Sequence, residues 1–166
     1  SMELANEGHN LVLLDNLSNS SLDVLDNLEK IVSKKLIFEN MDIRETKNLK
    51  RILKDYNIDA VVHFAGLKSV RESLIKNAEY YDVNVMGSNS LFEAMEEVME
   101  KKILIFSSSA CVYGNPNYLP IDEDHNLDPL NPYGLNKLEI ENSLKKLYES
   151  KKNWCVVCLR YFNPIG

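Results

Sequence analysis

Five short apolar segments recur along the chain, and stretches with helical spacing separate them. They lie at residues 11–15, 36–38, 60–64, 103–107 and 155–161. Each is almost continuously apolar instead of alternating, which is typical of parallel strands that are covered on both faces. Helices are predicted at 45–56, 80–101 and 133–150. The alternation predicts an α/β fold in which helices cover both faces of a doubly wound parallel sheet.

Length and charge narrow the possible classes of function. The 166 residues fit one domain, which we assign to 1–166. The net charge is −6 and no basic stripe is present, so we expect no nucleic-acid partner. No apolar run reaches the length of a membrane span, so we expect no membrane partner. Three cysteines and the lack of a recognisable secretory signal favour a cytoplasmic location.

Two of the cysteines, Cys155 and Cys158, form a C-x-x-C pattern inside the last predicted strand. A separation of three positions puts them on opposite faces of a strand, and the chain has only one such pair. We therefore expect buried, inert thiols and no metal site. His63 lies inside a predicted strand and is expected to be structural.

A serine, a tyrosine and a lysine form the most informative chemical pattern. Tyr133 and Lys137 are four residues apart, about one helical turn, so they share a helix face. An ammonium beside a phenol lowers the pKa of the phenol, which can then exchange a proton with a substrate hydroxyl. Ser109 ends an apolar strand and can hydrogen-bond the same hydroxyl. The three residues predict a catalytic trio for hydroxyl-to-carbonyl redox chemistry.

The same spacing occurs a second time, at Tyr148 and Lys152. Only the first pair extends the apolar stripe of its helix, which runs through Tyr133, Lys137, Ile140, Leu144 and Leu147. A lysine on an inward stripe is costly unless it has a partner or a role. The alternative for the first pair is a surface tyrosine packed on a lysine stem.

Polar or small residues follow all five predicted strands, at 15–16, 42, 65–68, 107–109 and 161–163. Ligands of doubly wound sheets bind at this edge, beyond the carboxyl ends of the strands. An acidic residue there suits the ribose hydroxyls of NAD and repels the extra phosphate of NADP. Alternatively, Asp15 is a turn residue and Asp42 begins a helix.

Two further segments are expected to serve this edge. Residues 112–132 show no period and contain four prolines, and loops of this length are usually functional. Asn131 suits the N-cap of the following helix and Pro132 its first position. Asn84 is a polar residue on the inward stripe of the predicted helix 80–101, so it needs a partner, either backbone or a cofactor.

The chain resembles the extended short-chain dehydrogenase/reductases and, among them, the UDP-galactose 4-epimerases. The matching segments are residues 14–20, 63–68, 107–114, 131–137 and 159–164, and the resemblance spans the whole chain. It implies a Rossmann-like fold and NAD-dependent interconversion of UDP-glucose and UDP-galactose through a transient 4-keto sugar. It also implies NAD as cofactor, a UDP-sugar as substrate and a homodimer through helices 80–101 and 133–150. The alternatives are a nucleotide-sugar dehydratase or decarboxylase of the same superfamily, or a catalytically silent nucleotide-binding module.

The resemblance assigns roles residue by residue. Ser109, Tyr133 and Lys137 are the implied catalytic residues. The implied cofactor contacts are Asp15, Asn16, Asn19, Ser20, Asp42, Ile43, Phe64, Ala65, Gly66, Lys68, Asn84, Ser109, Tyr133, Lys137 and Tyr161. The implied substrate contacts are Lys68, Ser109, Ala110, Cys111, Tyr133, Phe162 and Asn163.

The chain departs from the family pattern in two ways. Cys111 stands where the family commonly has threonine, and a thiol donates a weaker hydrogen bond to a sugar. The family's first strand, its glycine-rich turn and its C-terminal substrate domain have no counterpart in the sequence. We expect a fragment of a longer polypeptide, an incomplete sheet with two unpaired strand edges, and poor NAD binding and no turnover by these 166 residues alone.

Overall fold

The five predicted strands all form, and helices separate them. The computed structural model of the protein describes residues 1–163, so Pro164, the last residue of the matching segment 159–164, lies outside the described residues. The elements are α1 (Met2–Asn6), β1 (Val12–Asp15), α2 (Leu22–Val32), β2 (Ile37–Asn40), α3 (Thr46–Asp55), β3 (Val61–His63), α4 (Val70–Ser73), α5 (Asn77–Tyr80), a π-helical segment (Tyr81–Met86), α6 (Gly87–Val98), β4 (Lys102–Ser109), a 3₁₀ turn (Ala110–Val112), α7 (Pro132–Ser150) and β5 (Trp154–Tyr161).

All strand pairs are parallel, which confirms the predicted α/β class. β1 pairs with β2, and β4 lies between β3 and β5. Among residues 1–163, β1 and β3 each pair with a single strand, so the two sheets share no ladder. This is the open, incomplete sheet expected from the sequence.

One hydrophobic core joins the two sheets through their helices. α3 packs against α6, and both contribute core side chains, among them Leu49, Leu53, Phe92 and Met95. In β4, alternate residues are buried, including Leu104 and Phe106. The apolar stripe predicted for α7 is confirmed, because Ile140 and Leu144 are buried in this core.

Some element boundaries differ from the prediction. The helix expected at 80–101 is divided into α5, the π-helical segment and α6. The sequence analysis did not predict α2, and none of its described residues is fully buried. Cys155 and Cys158 are exposed residues, so the expectation that both are buried was wrong, although burial raises the pKa of the Cys158 thiol to about 11. β5 pairs with β4 alone in the described chain, which leaves much of its surface uncovered.

The predicted loop before α7 is confirmed, since no helix or strand lies between residues 113 and 131 of the described chain. At its end the Asn131 side-chain oxygen accepts a hydrogen bond from the Gly134 N–H at 2.8 Å, and Pro132 is the first residue of α7. This is the predicted N-cap. Within residues 1–163, no helix combines the length and apolar character needed to cross a membrane.

Candidate active site

Lys137 is buried at the carboxyl end of β4. Only 6% of its surface is exposed, and its Nζ donates a hydrogen bond to the Ser107 carbonyl oxygen at 2.7 Å. The same Nζ lies 4.7 Å from the ring centroid of Phe106 and 5.7 Å from that of Tyr133. The alternative of a surface tyrosine packed on a lysine stem does not fit this burial of Lys137. The twin pair differs, because Tyr148 is 61% exposed and Lys152 is also exposed.

Burial makes the Lys137 ammonium easier to deprotonate. It lowers the pKa of the amine to about 8, and the Glu141 carboxylate one turn further along α7 opposes that change. The neighbouring His63 on β3 is fully enclosed, and burial together with the Lys137 charge lowers its pKa to about 3. The His63 ring is therefore neutral at physiological pH. Its Nε2 lies 2.8 Å from the Ser88 hydroxyl, which confirms the predicted structural role.

Tyr133 is half-buried beside Ser109. Burial raises the pKa of the Tyr133 phenol, and hydrogen bonding to Ser109 acts in the opposite direction. The predicted lowering of this pKa by Lys137 was wrong for the protein alone. Two physical reasons account for this: the Lys137 ammonium is directed at a backbone carbonyl, and burial disfavours the phenolate.

Tight packing brings the start of α7 against the end of β4. Ser109 is the last residue of β4, and its hydroxyl accepts a hydrogen bond from the Cys111 N–H at 3.2 Å. A Cβ added to Gly134 would lie 2.7 Å from the Cys111 carbonyl oxygen, so a larger residue could not approach this turn so closely. Ala110 and Cys111 are half-buried next to the trio. The three predicted catalytic residues thus meet at one place.

The end of β3 forms a second part of this edge. Phe64 is 61% exposed, Ala65 and Lys68 are exposed, and Gly66 has a φ of +150°. Asn84 is buried behind this turn: its side-chain oxygen accepts from the Leu67 N–H at 2.7 Å, and its amide donates to the Leu67 carbonyl at 2.9 Å. Of the two partners considered for Asn84, the backbone is the one that the structure shows.

The Asn84 side chain also explains why residue 66 is glycine. A Cβ at Gly66 would meet the Asn84 side-chain oxygen at 2.7 Å. Asn84 lies in the π-helical segment, and such segments are frequent at functional sites. The π-helical segment therefore positions the Asn84 amide, and this amide holds the turn after β3 in place.

The ends of β1 and β2 carry exposed polar groups. Asp15 accepts hydrogen bonds from the Leu17 N–H at 2.7 Å and the Ser20 hydroxyl at 2.8 Å, as expected of a turn residue. Asn16 donates to the Asp42 carboxylate at 2.9 Å, which links the two strand ends. Asn19 is exposed in the same turn.

Asp42 is held mainly by Arg44. The guanidinium donates to both carboxylate oxygens, with Nε at 2.9 Å and Nη2 at 2.8 Å. These bonds hold the pKa of Asp42 far below its ordinary value. Arg44 also pairs with Asp82 at the start of the π-helical segment. The neighbouring Ile43 contributes its side chain to the hydrophobic core.

The end of β5 completes the edge. Tyr161 is aligned with Ser109 in the β4–β5 register, so it lies at the same level of the sheet as the trio. Tyr161, Phe162 and Asn163 are exposed, and the Phe162 ring stacks on that of Tyr113 with 6.4 Å between centroids. The predicted residues thus lie in two groups, one at the ends of β1 and β2 and one at the ends of β3, β4 and β5.

Sequence reasoning missed one buried group next to the trio. Glu141 on α7 and Arg160 on β5 form a bidentate ion pair, in which Nε and Nη2 on one edge of the guanidinium donate to the two carboxylate oxygens at 3.1 and 2.8 Å. The available signal was that Glu141 follows Lys137 by four residues on the inward side of α7. Across the described residues, 1–163, no cluster of histidine, cysteine and acidic side chains is arranged to hold a metal ion.

The chain is similar to known proteins over its whole length. A family model described as GDP-mannose 4,6 dehydratase matches residues 1–166. The UDP-glucose 4-epimerase of Bacillus subtilis is 46% identical over 165 residues, covering 99% of this chain and 48% of the relative. The UDP-glucose 4-epimerase of Dictyostelium discoideum is 45% identical with the same coverage. The chain spans about half the length of these curated relatives.

Two solved structures are similar throughout the chain. The UDP-glucose-4-epimerase of Stenotrophomonas maltophila, with bound NAD and formylated UDP-arabinopyranose, has a TM-score of 0.96 and 38% identity. The UDP-glucose 4-epimerase of Bifidobacterium longum, in complex with NAD+ and UDP, has a TM-score of 0.95 and 42% identity. In both, the similarity covers 99% of this chain and 49% of the other. This agreement confirms the Rossmann-like fold inferred from the sequence.

Proposed function

The chain belongs to the family described as GDP-mannose 4,6 dehydratase, and within this family we propose that the protein at its full natural length is an NAD-dependent UDP-hexose 4-epimerase. It would interconvert UDP-glucose and UDP-galactose through a transient 4-keto sugar. The observation that carries the proposal is the buried Lys137 amine beside Tyr133 and Ser109 at the end of β4. The similarity to several UDP-glucose 4-epimerases supports the choice of reaction.

The trio carries out the proton chemistry in this proposal. Tyr133 removes the proton from the sugar 4-hydroxyl and later returns it, while Ser109 donates a hydrogen bond to the 4-oxygen. Lys137 presents a cation next to the phenol, held there by the Ser107 carbonyl. The bound cofactor supplies reversible hydride acceptance at the sugar C4 and, when oxidised, a positive ring charge. Burial by itself raises the pKa of Tyr133, so the phenol needs a nearby positive charge to ionise.

The residues present fit a dinucleotide. We assign the adenosine ribose to Asp15, Asn16, Asn19 and Ser20, and the adenine to Asp42 and Ile43. The carboxylate of Asp15 favours NAD over NADP, because it repels an added phosphate. At the other end, we assign the pyrophosphate and nicotinamide to Phe64, Ala65, Gly66, Lys68 and Tyr161. Asn84 supports that turn from behind, because its side chain accepts from the Leu67 N–H and donates to the Leu67 carbonyl.

The sugar side of the site has fewer constraints. We assign substrate contacts to Lys68, Ala110, Cys111, Phe162 and Asn163, beside Ser109 and Tyr133. Dehydratases of the superfamily usually place an additional acid beside the catalytic serine, whereas here Ala110 and Cys111 follow it. This difference favours epimerisation over dehydration. Cys111 would leave a weaker hydrogen bond to the sugar than the usual threonine.

We also propose a cytoplasmic homodimer, formed through α7 and the helices from α5 to α6. Tyr81 and Leu135 are 40% and 53% exposed on this face. A groove between α5 and α7 is lined by residues that include Pro132, Asn136 and Leu138. Such exposed aromatic and aliphatic side chains at a groove are typical of protein interfaces.

Deuterium at the sugar C4 tests the proposed reaction. UDP-galactose labelled at C4 is given to the full-length protein in ordinary water, and the UDP-glucose formed is analysed by mass spectrometry and NMR. We expect the label to stay at C4, because the hydride returns to the carbon that it left. Loss of the label to water would contradict the proposal. A keto product that lacks one water would instead identify a dehydratase, and no reaction at all would support the silent module.

A further inference from the structure

An ion pair lies one helical turn beyond Lys137. Glu141 is 8% exposed, and its two carboxylate oxygens accept hydrogen bonds from Arg160, Nε at 3.1 Å and Nη2 at 2.8 Å. Bidentate pairs of this kind fix the relative orientation of both side chains. α7 is thereby attached to β5 at the level of the active site.

The pair also attaches β4 and the loop that follows it. The Ser108 hydroxyl donates to Glu141, and the Arg160 Nη1 donates to the Tyr113 hydroxyl at 3.0 Å. The Arg160 guanidinium lies 4.9 Å from the centroid of the Tyr113 ring. Four parts of the chain therefore meet at one pair: α7, β4, β5 and the first residue after the 3₁₀ turn.

One of these contacts, Ser108, is adjacent in sequence to groups of the trio on both sides. Ser108 stands between Ser107, whose carbonyl holds the Lys137 amine, and Ser109. Removing two charges from water costs several kcal/mol per ion, so a buried pair is weak evidence of a stabilising role. The location of the pair, beside the groups that hold Lys137, indicates instead that it fixes the positions of the trio. A displacement of about 1 Å in a catalytic group can cost about 100-fold in rate.

We propose that Glu141, which is hydrogen-bonded to Arg160, is a positioning residue. It fixes the turn of α7 that contains Lys137 against the end of β4 that contains Ser109. The role in catalysis rests on the proposed epimerase function, whereas the mechanical role does not. Arg160 is the second positioning residue, because it donates to both Glu141 and Tyr113. Neither residue is expected to touch the sugar or the cofactor.

Glu141 also contributes to the charge of Lys137. The groups that face this amine are Tyr133 and Glu141 from α7, His63 from β3 and the Ser107 carbonyl from β4; from β5, Arg160 and Cys158 lie beyond Glu141. Burial lowers the pKa of Lys137, and the Glu141 carboxylate opposes it. A neutral residue at position 141 removes this opposition, so the ammonium would be lost at a lower pH.

The test compares Glu141→Gln with Glu149→Gln in the full-length protein bound to NAD. Glu149 is a matched control because it lies on the same helix, is exposed, and pairs with Lys145 at 3.9 Å. In Glu141→Gln, we expect kcat to fall by about 100-fold with little change in KM, and the alkaline limb of kcat to move to lower pH. Glu141→Asp keeps the charge, so it should return that limb towards the wild-type position. Glu149→Gln should match the wild type.

Hydrogen exchange separates positioning from the reaction itself. We expect Glu141→Gln to increase amide exchange in residues 107–113, and Glu149→Gln to leave it unchanged. If Glu141→Gln does not fold, Arg160→Lys tests the same contact, because it keeps a cation but loses the bidentate hydrogen bonds. Unchanged exchange and an unchanged alkaline limb would overturn the proposal. If the wild type does not epimerise but the exchange rises as expected, the proposed function fails and the positioning role stands.

Discussion

Two parts of the molecule hold their polar groups in opposite ways. The β4 half, formed by β3, β4, β5 and α7, buries its charged and polar side chains, including Lys137, Glu141 and His63. The β1 half, formed by β1, α2 and β2, leaves Asn16 and Ser20 exposed at its strand ends. A buried polar group must find a fixed partner, whereas an exposed one can exchange its partner for water. The polar side chains of the β4 half are therefore fixed in position, whereas those of the β1 half are free to hydrogen-bond water or a ligand.

The contacts of the two halves reflect this difference. The bonds of Lys137, Glu141 and Arg160 join elements that are 19 to 47 residues apart in sequence. In the β1 half, Asp15 is bonded to residues two and five positions away, and the bond from Asn16 to Asp42 spans 26 positions. Local bonds form whenever the turn forms, but long-range bonds require the whole core. Damage to the core should thus disturb the β4 half most.

Leucine and isoleucine truncations give the largest stability contrast between the halves. Leu144 on α7 is fully buried, and Ile31 on α2 is 63% exposed. We expect Leu144→Ala to lower the free energy of unfolding by about 2–5 kcal/mol, because it leaves a cavity. Ile31→Ala should change it by no more than about 0.5 kcal/mol. Urea unfolding of the two variants measures both values, and similar losses would show that the halves do not differ in this way.

A smaller effect is expected at the ion pair between Arg44 and Asp42. The side chain of Arg44 is 43% exposed, so solvent and salt screen its charge. We expect Arg44→Gln to lower stability by less than about 1 kcal/mol at pH 7, and by even less in high salt. Unfolding measured at two salt concentrations checks both statements. A salt-independent loss of several kcal/mol would place this pair with the buried ones.

The direction in which Arg44 shifts the pKa of Asp42 determines how the contribution of this pair to stability depends on pH. Arg44 holds the pKa of Asp42 below its ordinary value, so the folded state binds the proton less tightly than the unfolded state. The contribution is present above the ordinary aspartate pKa of about 4 and is lost as the pH falls through the folded value. In Arg44→Gln, this part of the acid destabilisation should be reduced. An identical pH profile in variant and wild type would contradict the assignment.

Local patterns in the sequence were sufficient to predict much of the site. The continuous apolar segments predicted all five strands, and the stripe through Leu144 predicted the inward face of α7. Ser109 ends a strand, and Tyr133 and Lys137 lie in the first turns of the helix that follows it. The order of these elements was therefore enough to predict that the three residues lie close together. α2 was not predicted, although Leu25, Leu28 and Val32 have helical spacing and are half-buried.

Properties that depend on burial could not be predicted in the same way. The pair of Glu141 and Arg160 joins a helix to a strand, and no spacing rule connects those positions. The direction of the Tyr133 pKa was predicted wrongly because spacing places the Lys137 amine nearby but does not show that it bonds the Ser107 carbonyl. The π-helical segment was read as regular helix, since its stripe differs from that of an α-helix only locally.

The twin tyrosines of α7 provide the most direct test of the central claim, which is that the buried trio carries out the proton transfer. Tyr133→Phe and Tyr148→Phe each remove one hydroxyl from the same helix, and only the first is beside a buried lysine. The measurement is the rate at which the full-length protein converts UDP-galactose to UDP-glucose, together with calorimetric binding of the UDP-sugar.

We expect Tyr133→Phe to lower kcat by about 10²–10⁴-fold while the UDP-sugar still binds, because a general acid–base group contributes that much. Tyr148→Phe should retain the wild-type rate. Near-normal turnover by Tyr133→Phe would contradict the account.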